Sequence, residues 1–225
     1  MLPLVDAHSH ARKGEAIELW SVQTPDATEG FCSLGIHPWR ADLLTDEALT
    51  AELEMVVRAD IAAVGECGLD AAKGRTEGWP MQLRAFCEQV AIAERRKLPI
   101  IIHSVRAFEE CAKILKSAEL TSVVFHSWIG SAEQAARAVN EGWKLSIGPR
   151  SLASSRTAEV IRTLPAECLL TETDDSDTPI ELIYEQLAAL RGESVATLRE
   201  IIYNNFTRIW PNGWSEPSCC SEARN

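Results

Sequence analysis

The sequence has no long hydrophobic run: no stretch approaches the roughly eighteen apolar residues that a membrane-spanning helix requires. Its N-terminus also lacks the basic segment followed by an apolar one that marks an export signal. Neither membrane insertion nor export is therefore indicated, and we expect a soluble protein of the cytoplasm.

Basic residues are scarce relative to acidic ones. The 225 residues include 22 Lys and Arg against 33 Asp and Glu, which gives a formal net charge of −11. Proteins that bind nucleic acids tightly over a broad surface normally carry an excess of positive charge, because the phosphate backbone is a polyanion. We therefore expect any contact with nucleic acid to be local or to be mediated by a metal ion.

Cysteine pairs with the spacing of a zinc or redox motif are also missing. The seven cysteines are an odd number, and none is followed by another at Cys-x-x-Cys spacing. Because several lie inside apolar runs, we expect reduced and mostly buried thiols, in agreement with a reducing compartment.

The length and the composition fit one large domain. Hydrophobic residues make up 46% and charged residues 24% of the 225-residue chain, and both fractions are near the average for a soluble protein with a full core. The length lies within the range of a single α/β barrel. We predict one domain over residues 1–210 and a polar C-terminal tail over residues 211–225.

Eight short apolar runs recur along the chain and predict buried β-strands. Their hydrophobicity is nearly continuous instead of alternating, which is typical of strands covered on both faces in a parallel sheet. The predicted strands cover residues 2–7, 17–22, 31–36, 61–64, 100–102, 123–125, 143–147 and 168–170.

Amphipathic segments separate most of these runs. The clearest covers residues 81–97, where apolar side chains recur every three or four positions. Further helices are predicted over residues 46–58, 107–117, 132–141, 157–164, 179–191 and 194–210. Alternating strands and helices predict an α/β fold whose parallel sheet closes into a TIM-type (β/α)8 barrel. Residues 11–30 are too few for a full helix and a strand, so we expect the first βα unit to be slightly abridged.

All five histidines fall at or just after the ends of predicted strands, and two carboxylates occupy equivalent positions. In a parallel barrel such positions converge at the C-terminal mouth, where side chains from several strands meet. His8 and His10 are two residues apart on one strand, so both rings can face one ion. The whole set is His8, His10, His37, Glu66, His103, His126 and Asp174.

Imidazole and carboxylate groups suit zinc, manganese and related divalent ions. Six members of the set are enough for two ions, which can activate a water and stabilise the attacking and leaving oxygens. Taken singly, each histidine can instead be a hydrogen-bonded core or cap residue, and either carboxylate can cap a helix. We predict one or two divalent ions, Zn²⁺, Mn²⁺ or Mg²⁺, held by His8, His10, Glu66, His103, His126 and Asp174.

The chain resembles the TatD-type metal-dependent hydrolases, a branch of the amidohydrolase-like barrels. The matching segments are residues 6–10, 35–38, 65–70, 98–104, 126–131 and 172–174, with Gln82, Asn205 and Arg208. The resemblance implies a (β/α)8 barrel that cleaves phosphodiesters in DNA. It places His8 and His10 on one ion, His103 and His126 on the other, and Glu66 between them. Asp174 is implied as ligand and proton acceptor, so Asp174 and Glu66 are the expected catalytic residues.

Candidate substrate contacts also follow strand ends. His37 can hydrogen-bond the substrate or contact a neighbouring loop. Arg106 stands one place beyond the arginine usual in this family and can bind a phosphate or remain a solvated charge, and the same alternatives hold for Lys73, Arg75 and Arg150. The rings of Trp39, Trp79 and Trp128 can stack on bases or pack beneath loops.

These observations predict a metal-dependent hydrolase of phosphoester bonds, a DNase or phosphodiesterase of TatD type that acts on DNA or a nucleotide. An amidase or lactonase is an alternative, because activated water can attack a carbonyl as well as a phosphorus. A metal-stabilised binding or scaffold protein is a third possibility, and it would retain ions without hydrolysing any ester. The oligomeric state is left open.

Overall fold

A computed structural model describes residues 2–14, 16–24, 30–72, 74–75 and 77–211 of the chain. One sheet contains eight strands in chain order, and neighbouring strands are parallel. The strands are β1 (Val5–Ser9), β2 (Ile17–Val22), β3 (Cys32–Leu34), β4 (Ala63–Asp70), β5 (Ile100–Val105), β6 (Val123–Phe125), β7 (Lys144–Ile147) and β8 (Leu169–Thr171). Each corresponds to one predicted run.

The sheet closes next to the predicted metal site. Asp174, just beyond β8, donates its backbone N–H to the carbonyl of His8 at 2.9 Å, and its own carbonyl accepts from the N–H of His10 at 3.1 Å. The predicted TIM-type barrel is confirmed, and the closing hydrogen bonds bring the first and last predicted ligand segments together.

Helices follow most strands. Within the described residues they are α1 (Pro38–Ala41), α2 (Asp46–Arg58), α3 (Trp79–Arg96), α4 (Phe108–Leu115), α5 (Ala132–Asn140), α6 (Pro149–Ala153), α7 (Ser155–Ile161), α8 (Ile180–Arg191) and α9 (Val195–Ile209). Every amphipathic segment predicted from the sequence is a helix. The sequence pattern missed α1 and α6, because four or five residues are too few to show a 3.6-residue period.

The first crossover is short, as expected. The described residues between β1 and β2 contain no helix, while β2 is a full strand of six residues. The crossover is extended, and the carboxylate of Glu18 on β2 accepts the backbone N–H groups of Lys13 at 2.9 Å and Gly14 at 3.1 Å. One carboxylate thus accepts hydrogen bonds from two backbone N–H groups, which in a helix would bond to backbone carbonyls.

Strand β4 is longer than its apolar run. The sequence pattern ends at residue 64, but the strand continues to Asp70, and Gly68 and Asp70 pair with His103 and Val105 of β5. Two glycines and a carboxylate interrupt the hydrophobic pattern there, although the backbone pairing persists. Glu66 and His103 therefore lie within strands and not after them.

Buried thiols and a buried tryptophan complete the core. The described cysteines are free, with Cys32, Cys67, Cys111 and Cys168 buried and Cys87 exposed. Trp210 is buried and donates its indole N–H to the carbonyl of Ala62 at 2.9 Å. Cys219 and Cys220 lie outside the described residues, as does most of the predicted tail, so the domain boundary at residue 210 stays a prediction.

The described helices include none that is both long and apolar enough to cross a membrane.

Substitution of Gly68 is expected to disrupt the β4–β5 pairing. A Cβ at this position would lie 2.0 Å from the carbonyl oxygen of His103, and the φ of +143° is open to glycine alone. We expect Gly68→Ala to lower the free energy of unfolding by about 3 kcal/mol or more, as measured by urea denaturation.

Gly142→Ala is the matched control. Gly142 also has a positive φ, +72°, but no described atom beyond its chain neighbours lies within 4 Å of the position that a Cβ would take. The free energy of unfolding of this variant should fall by only about 1–2 kcal/mol. If the free energy of unfolding fell equally in the two variants, β4 and β5 would not be in close contact at Gly68.

Candidate metal centre

The C-terminal mouth of the barrel gathers all seven predicted side chains. His8 lies in β1, Glu66 in β4 and His103 in β5. His10 follows β1, His37 precedes α1, His126 follows β6, and Asp174 lies beyond β8. Most are buried, and His10 and His37 are partly exposed.

The first group of side chains surrounds one oxygen of Glu66 and one of Asp174. Glu66 Oε2 lies 3.5 Å from His8 Nε2 and 3.6 Å from His10 Nε2. Asp174 Oδ1 lies 3.8 Å and 3.4 Å from the same two nitrogens. Donors held at about 2.1 Å from a tetrahedral ion are about 3.4 Å apart. These spacings fit a cation that binds all four atoms.

The second group surrounds the other oxygen of Glu66. Oε1 lies 2.6 Å from His103 Nδ1, 2.7 Å from His126 Nε2 and 3.3 Å from His37 Nε2. His103 Nδ1 is in turn 3.2 Å from His126 Nε2 and 3.3 Å from His37 Nε2. Three imidazole nitrogens therefore lie within 3.3 Å of one carboxylate oxygen, and those of His103 and His126 are at hydrogen-bond distance from it. His37, expected as a substrate contact, stands among the predicted ligands.

Unpaired buried atoms also indicate a cation. Neither ring nitrogen of His8 has a hydrogen-bond partner among the described residues, and His8 Nε2 faces Glu66 and Asp174. Buried polar atoms without partners are rare in folded proteins because each costs free energy. Imidazole nitrogens that face carboxylate oxygens provide a donor set for Zn²⁺ or Mn²⁺, so the residues present fit divalent ions.

The surrounding histidines keep both carboxylates ionised. Burial alone would raise the pKa of Glu66, but the charge of His126 and hydrogen bonds from His10, His103 and His126 hold it well below its usual range. Burial also opposes ionisation of Asp174, but the hydrogen bond from His10 and the charges of His126 and His8 lower its pKa to about 2. Both carboxylates are therefore ionised at neutral pH, the form in which a carboxylate binds a divalent ion.

Further carboxylates orient the predicted ligands. Glu172 accepts the backbone N–H of Ser127 at 2.6 Å and lies 3.5 Å from His126 Nδ1. Asp70 Oδ2 lies 3.3 Å from His103 Nε2. Partners of this kind fix the orientation of the ring that binds a metal. The sequence reasoning did not include Asp70 as a site residue, although its position four residues after Glu66 on one strand was a usable signal.

Asp6 holds the loop that follows β8. Its carboxylate accepts the backbone N–H of Thr173 at 2.9 Å and the Thr173 hydroxyl at 2.6 Å. Burial raises the pKa of Asp6 to about 7, although the two hydrogen bonds from Thr173 oppose the shift. Asp6 thus fixes the backbone of the residue that precedes Asp174.

The other predicted contacts are scattered around the mouth. Arg106 is exposed and Arg150 pairs with Asp175 at 2.8 Å, with its other nitrogen 3.4 Å from Asp174 Oδ2. Arg75 pairs with Glu110. Lys73 lies outside the described residues.

The three tryptophans have different environments. Trp79 and Trp128 are 9% and 3% exposed and pack in the core, whereas Trp39 is 65% exposed. Trp39 alone among the three is exposed, and it contacts His37 and Asp70 at the mouth.

Comparisons with known proteins agree with this geometry. The family model described as TatD related DNase matches residues 15–211. An uncharacterized metal-dependent hydrolase of Escherichia coli K12, YjjV, is 32% identical over 196 residues, which cover 78% of this chain and 74% of that protein. The protein named 3'-5' ssDNA/RNA exonuclease TatD of Musicola paradisiaca is 28% identical over 220 residues, covering 86% and 82% of the two chains.

A solved structure is similar over almost the whole fold. The crystal structure of E. coli YjjV superposes with a TM-score of 0.79 at 25% identity, and the match covers 92% of this chain and 97% of that one. The similarity extends over the entire barrel and is not limited to the metal centre.

Replacement of Glu66 is expected to weaken metal binding by both groups of side chains. Glu66→Gln keeps the shape but removes the charge that faces two histidines through one oxygen and three through the other. We expect metal affinity to fall by more than about 100-fold. Elemental analysis after dialysis against metal-depleted buffer measures the loss.

Glu109→Gln is the matched control because Glu109 is an exposed carboxylate that pairs with Arg137 on the surface. It should keep the metal content of the unsubstituted protein. If Glu66→Gln also kept that content, the carboxylate would not be a ligand.

Proposed function

The chain belongs to the family of TatD-related DNases and is a metal-dependent hydrolase, and we propose that it cleaves phosphodiester bonds in DNA or in a nucleotide. The observation that carries the proposal is the position of the Glu66 carboxylate between two groups of imidazoles. Oε2 faces His8 and His10, and Oε1 faces His103 and His126. A shared carboxylate between two cation sites is the arrangement used for in-line displacement at phosphorus.

The side chains have separate roles in the reaction. His8, His10, His103, His126, Glu66 and Asp174 hold the ions, and His37 stands where it can bind an ion or a substrate oxygen. When bound, divalent ions lower the pKa of water and neutralise charge on phosphoryl oxygens. Asp174 is ionised at neutral pH and faces His8 and His10 through Oδ1, so its carboxylate is the proposed acceptor of the proton of the attacking water.

A basic groove beside His126 supports a phosphate-containing substrate. It has a volume of about 540 Å³ and extends from His126 past Arg106 to Arg156. Both arginines are exposed, and no Asp or Glu is among the described residues that line the groove. Arginine binds phosphate through charge-assisted hydrogen bonds. Arg106 therefore contacts a phosphate of the substrate in the proposed complex.

The similarity to a protein named an exonuclease for single-stranded DNA and RNA favours the nucleic-acid substrate. An amidase or lactonase activity on a small molecule is the second candidate, and the net charge of −11 favours it because this charge repels a polyanion. The local positive charge at the groove favours the phosphodiester.

Parallel hydrolysis assays distinguish these functions. The metal-depleted protein receives Mg²⁺, Mn²⁺ or Zn²⁺ and is incubated with a labelled single-stranded oligonucleotide or with a panel of lactones and cyclic amides. We expect shortened oligonucleotides with at least one ion and none with EDTA. Turnover of lactones or amides alone would assign the second candidate, and retained metal without any product would indicate a scaffold.

His103→Ala tests the assigned ligands by activity. The side chain faces Glu66 and His126, so its loss opens the second group of ligands while the backbone pairing of β5 remains. We expect phosphodiester turnover to fall by about 100-fold or more, with less bound metal and an unchanged circular dichroism spectrum.

Because all five histidines face the centre, the control is Cys87→Ala on an exposed face of α3. This variant should retain full turnover. Unchanged kinetics in His103→Ala would contradict the role assigned to His103.

A further inference from the structure

An exposed tryptophan stands at the rim of the metal centre. Trp39 lies in the first turn of α1 and is 65% exposed, which is unusual for the largest apolar side chain. At this exposed fraction, the neighbouring side chains leave most of the residue accessible to solvent. Such an arrangement suits a side chain that is covered by a ligand.

The indole ring is held in place from two sides. Its N–H donates to Asp70 Oδ2 at 2.6 Å. The ring of His37 packs edge-on against it, with 4.9 Å between centroids and an interplanar angle of 79°. An exposed aromatic side chain with a fixed plane loses little further conformational entropy when a flat ligand stacks on it.

A groove begins at this ring and reaches the metal centre. Its volume is about 580 Å³, and its lining includes the apolar side chains of Leu43 and Met55 and the polar side chains of Gln23 and Thr24. His37 belongs both to the groove and to the group of imidazoles around Glu66 Oε1, at 3.3 Å. A molecule in the groove is therefore adjacent to the position of the scissile bond.

The groove suits an uncharged aromatic group better than a phosphate. Arg40, its described basic lining residue, is bound by Glu52 at 2.9 Å and contributes no net positive charge. The amide of Gln23 and the hydroxyl of Thr24 can pair with ring heteroatoms, since both offer donors and acceptors. A nucleobase combines a flat aromatic face with such an edge.

We propose that Trp39 and this groove form a subsite that binds the base of a nucleotide next to the scissile phosphate. The inference rests on the proposed phosphodiesterase function and adds the part of the substrate that is recognised. The base stacks on the indole, and the adjoining phosphate lies at the metal centre. The basic groove beside His126 borders the same centre through a different histidine and takes the rest of the nucleotide chain.

Dinucleotides that lack one base test the subsite. The substrates are thymidylyl-thymidine and its two counterparts in which either nucleoside is replaced by a tetrahydrofuran spacer. We expect one of the two replacements to lower kcat/KM by about tenfold in the unsubstituted protein, which is within the range for base–aromatic stacking. In Trp39→Ala this difference should vanish, because the ring is absent.

Two further variants separate stacking from an indirect effect. Trp39→Phe keeps a ring but cannot donate to Asp70, which lies 3.3 Å from His103 Nε2, so it should preserve the preference for the base even if turnover falls. Leu182→Ala removes an exposed apolar side chain on α8 and should match the unsubstituted protein. An equal loss on all three dinucleotides in Trp39→Ala would overturn the subsite and leave Trp39 as a positioning residue for Asp70.

A binding measurement keeps the subsite testable if no dinucleotide is hydrolysed. Fluorescence anisotropy in EDTA compares a labelled ten-residue oligothymidylate with a ten-unit tetrahydrofuran spacer of the same charge. We expect the unsubstituted protein to bind the oligothymidylate about tenfold more tightly than the spacer, and Trp39→Ala to bind the two equally. Equal binding by the unsubstituted protein would overturn the subsite. If no dinucleotide is hydrolysed but this binding preference is present, the result would count against the proposed phosphodiesterase activity and not against the subsite.

Discussion

The sharing of one buried carboxylate among five histidines is the interaction on which the rest of the site depends. Glu66 Oε2 faces two imidazoles and Oε1 faces three, at 2.6 to 3.6 Å. A buried charge destabilises the folded protein unless it is paired, and without bound ions the histidines pair with the Glu66 carboxylate. The same side chains leave buried ring nitrogens without hydrogen-bond partners among the described residues. Divalent ions would satisfy His8 Nε2 and the carboxylate at once.

The backbone around Glu66 explains why the carboxylate reaches both groups. Gly65 and Gly68 stand on either side of it, and a Cβ on either would meet β5 within 2.6 Å and 2.0 Å. The pairing register of β4 and β5 shifts between Val64 and Cys67, which places Glu66 at the irregular position. Close contact between the two strands then puts His103 directly beside the carboxylate. The activity therefore depends on a backbone approach that only glycine permits.

The sequence was sufficient to predict the barrel and the side chains that meet at its mouth, because both follow from local patterns. Continuous apolar runs marked each strand, and the spacing of His8 and His10 placed two rings on one side of β1. It was insufficient for the arrangement within the site. Whether His37 contacts a substrate or Glu66 depends on the path of the chain before α1, a helix of four residues without a periodic signal. The bond from Trp39 to Asp70 joins residues 31 positions apart and has no local pattern.

The acidic character of the whole protein limits how a nucleic acid can be held. A net charge of −11 opposes approach of a phosphate chain, so affinity has to come from contacts within a Debye length of the mouth, about 8 Å at physiological ionic strength. Divalent ions bound at the centre would reverse the local charge, and Arg106 and Arg156 would extend the positive region along the groove beside His126. In the proposed subsite, the groove at Trp39 would add stacking, which does not depend on charge. A short single strand with unstacked bases could use both grooves, whereas a duplex keeps its bases stacked and presents mainly phosphates to an acidic surface.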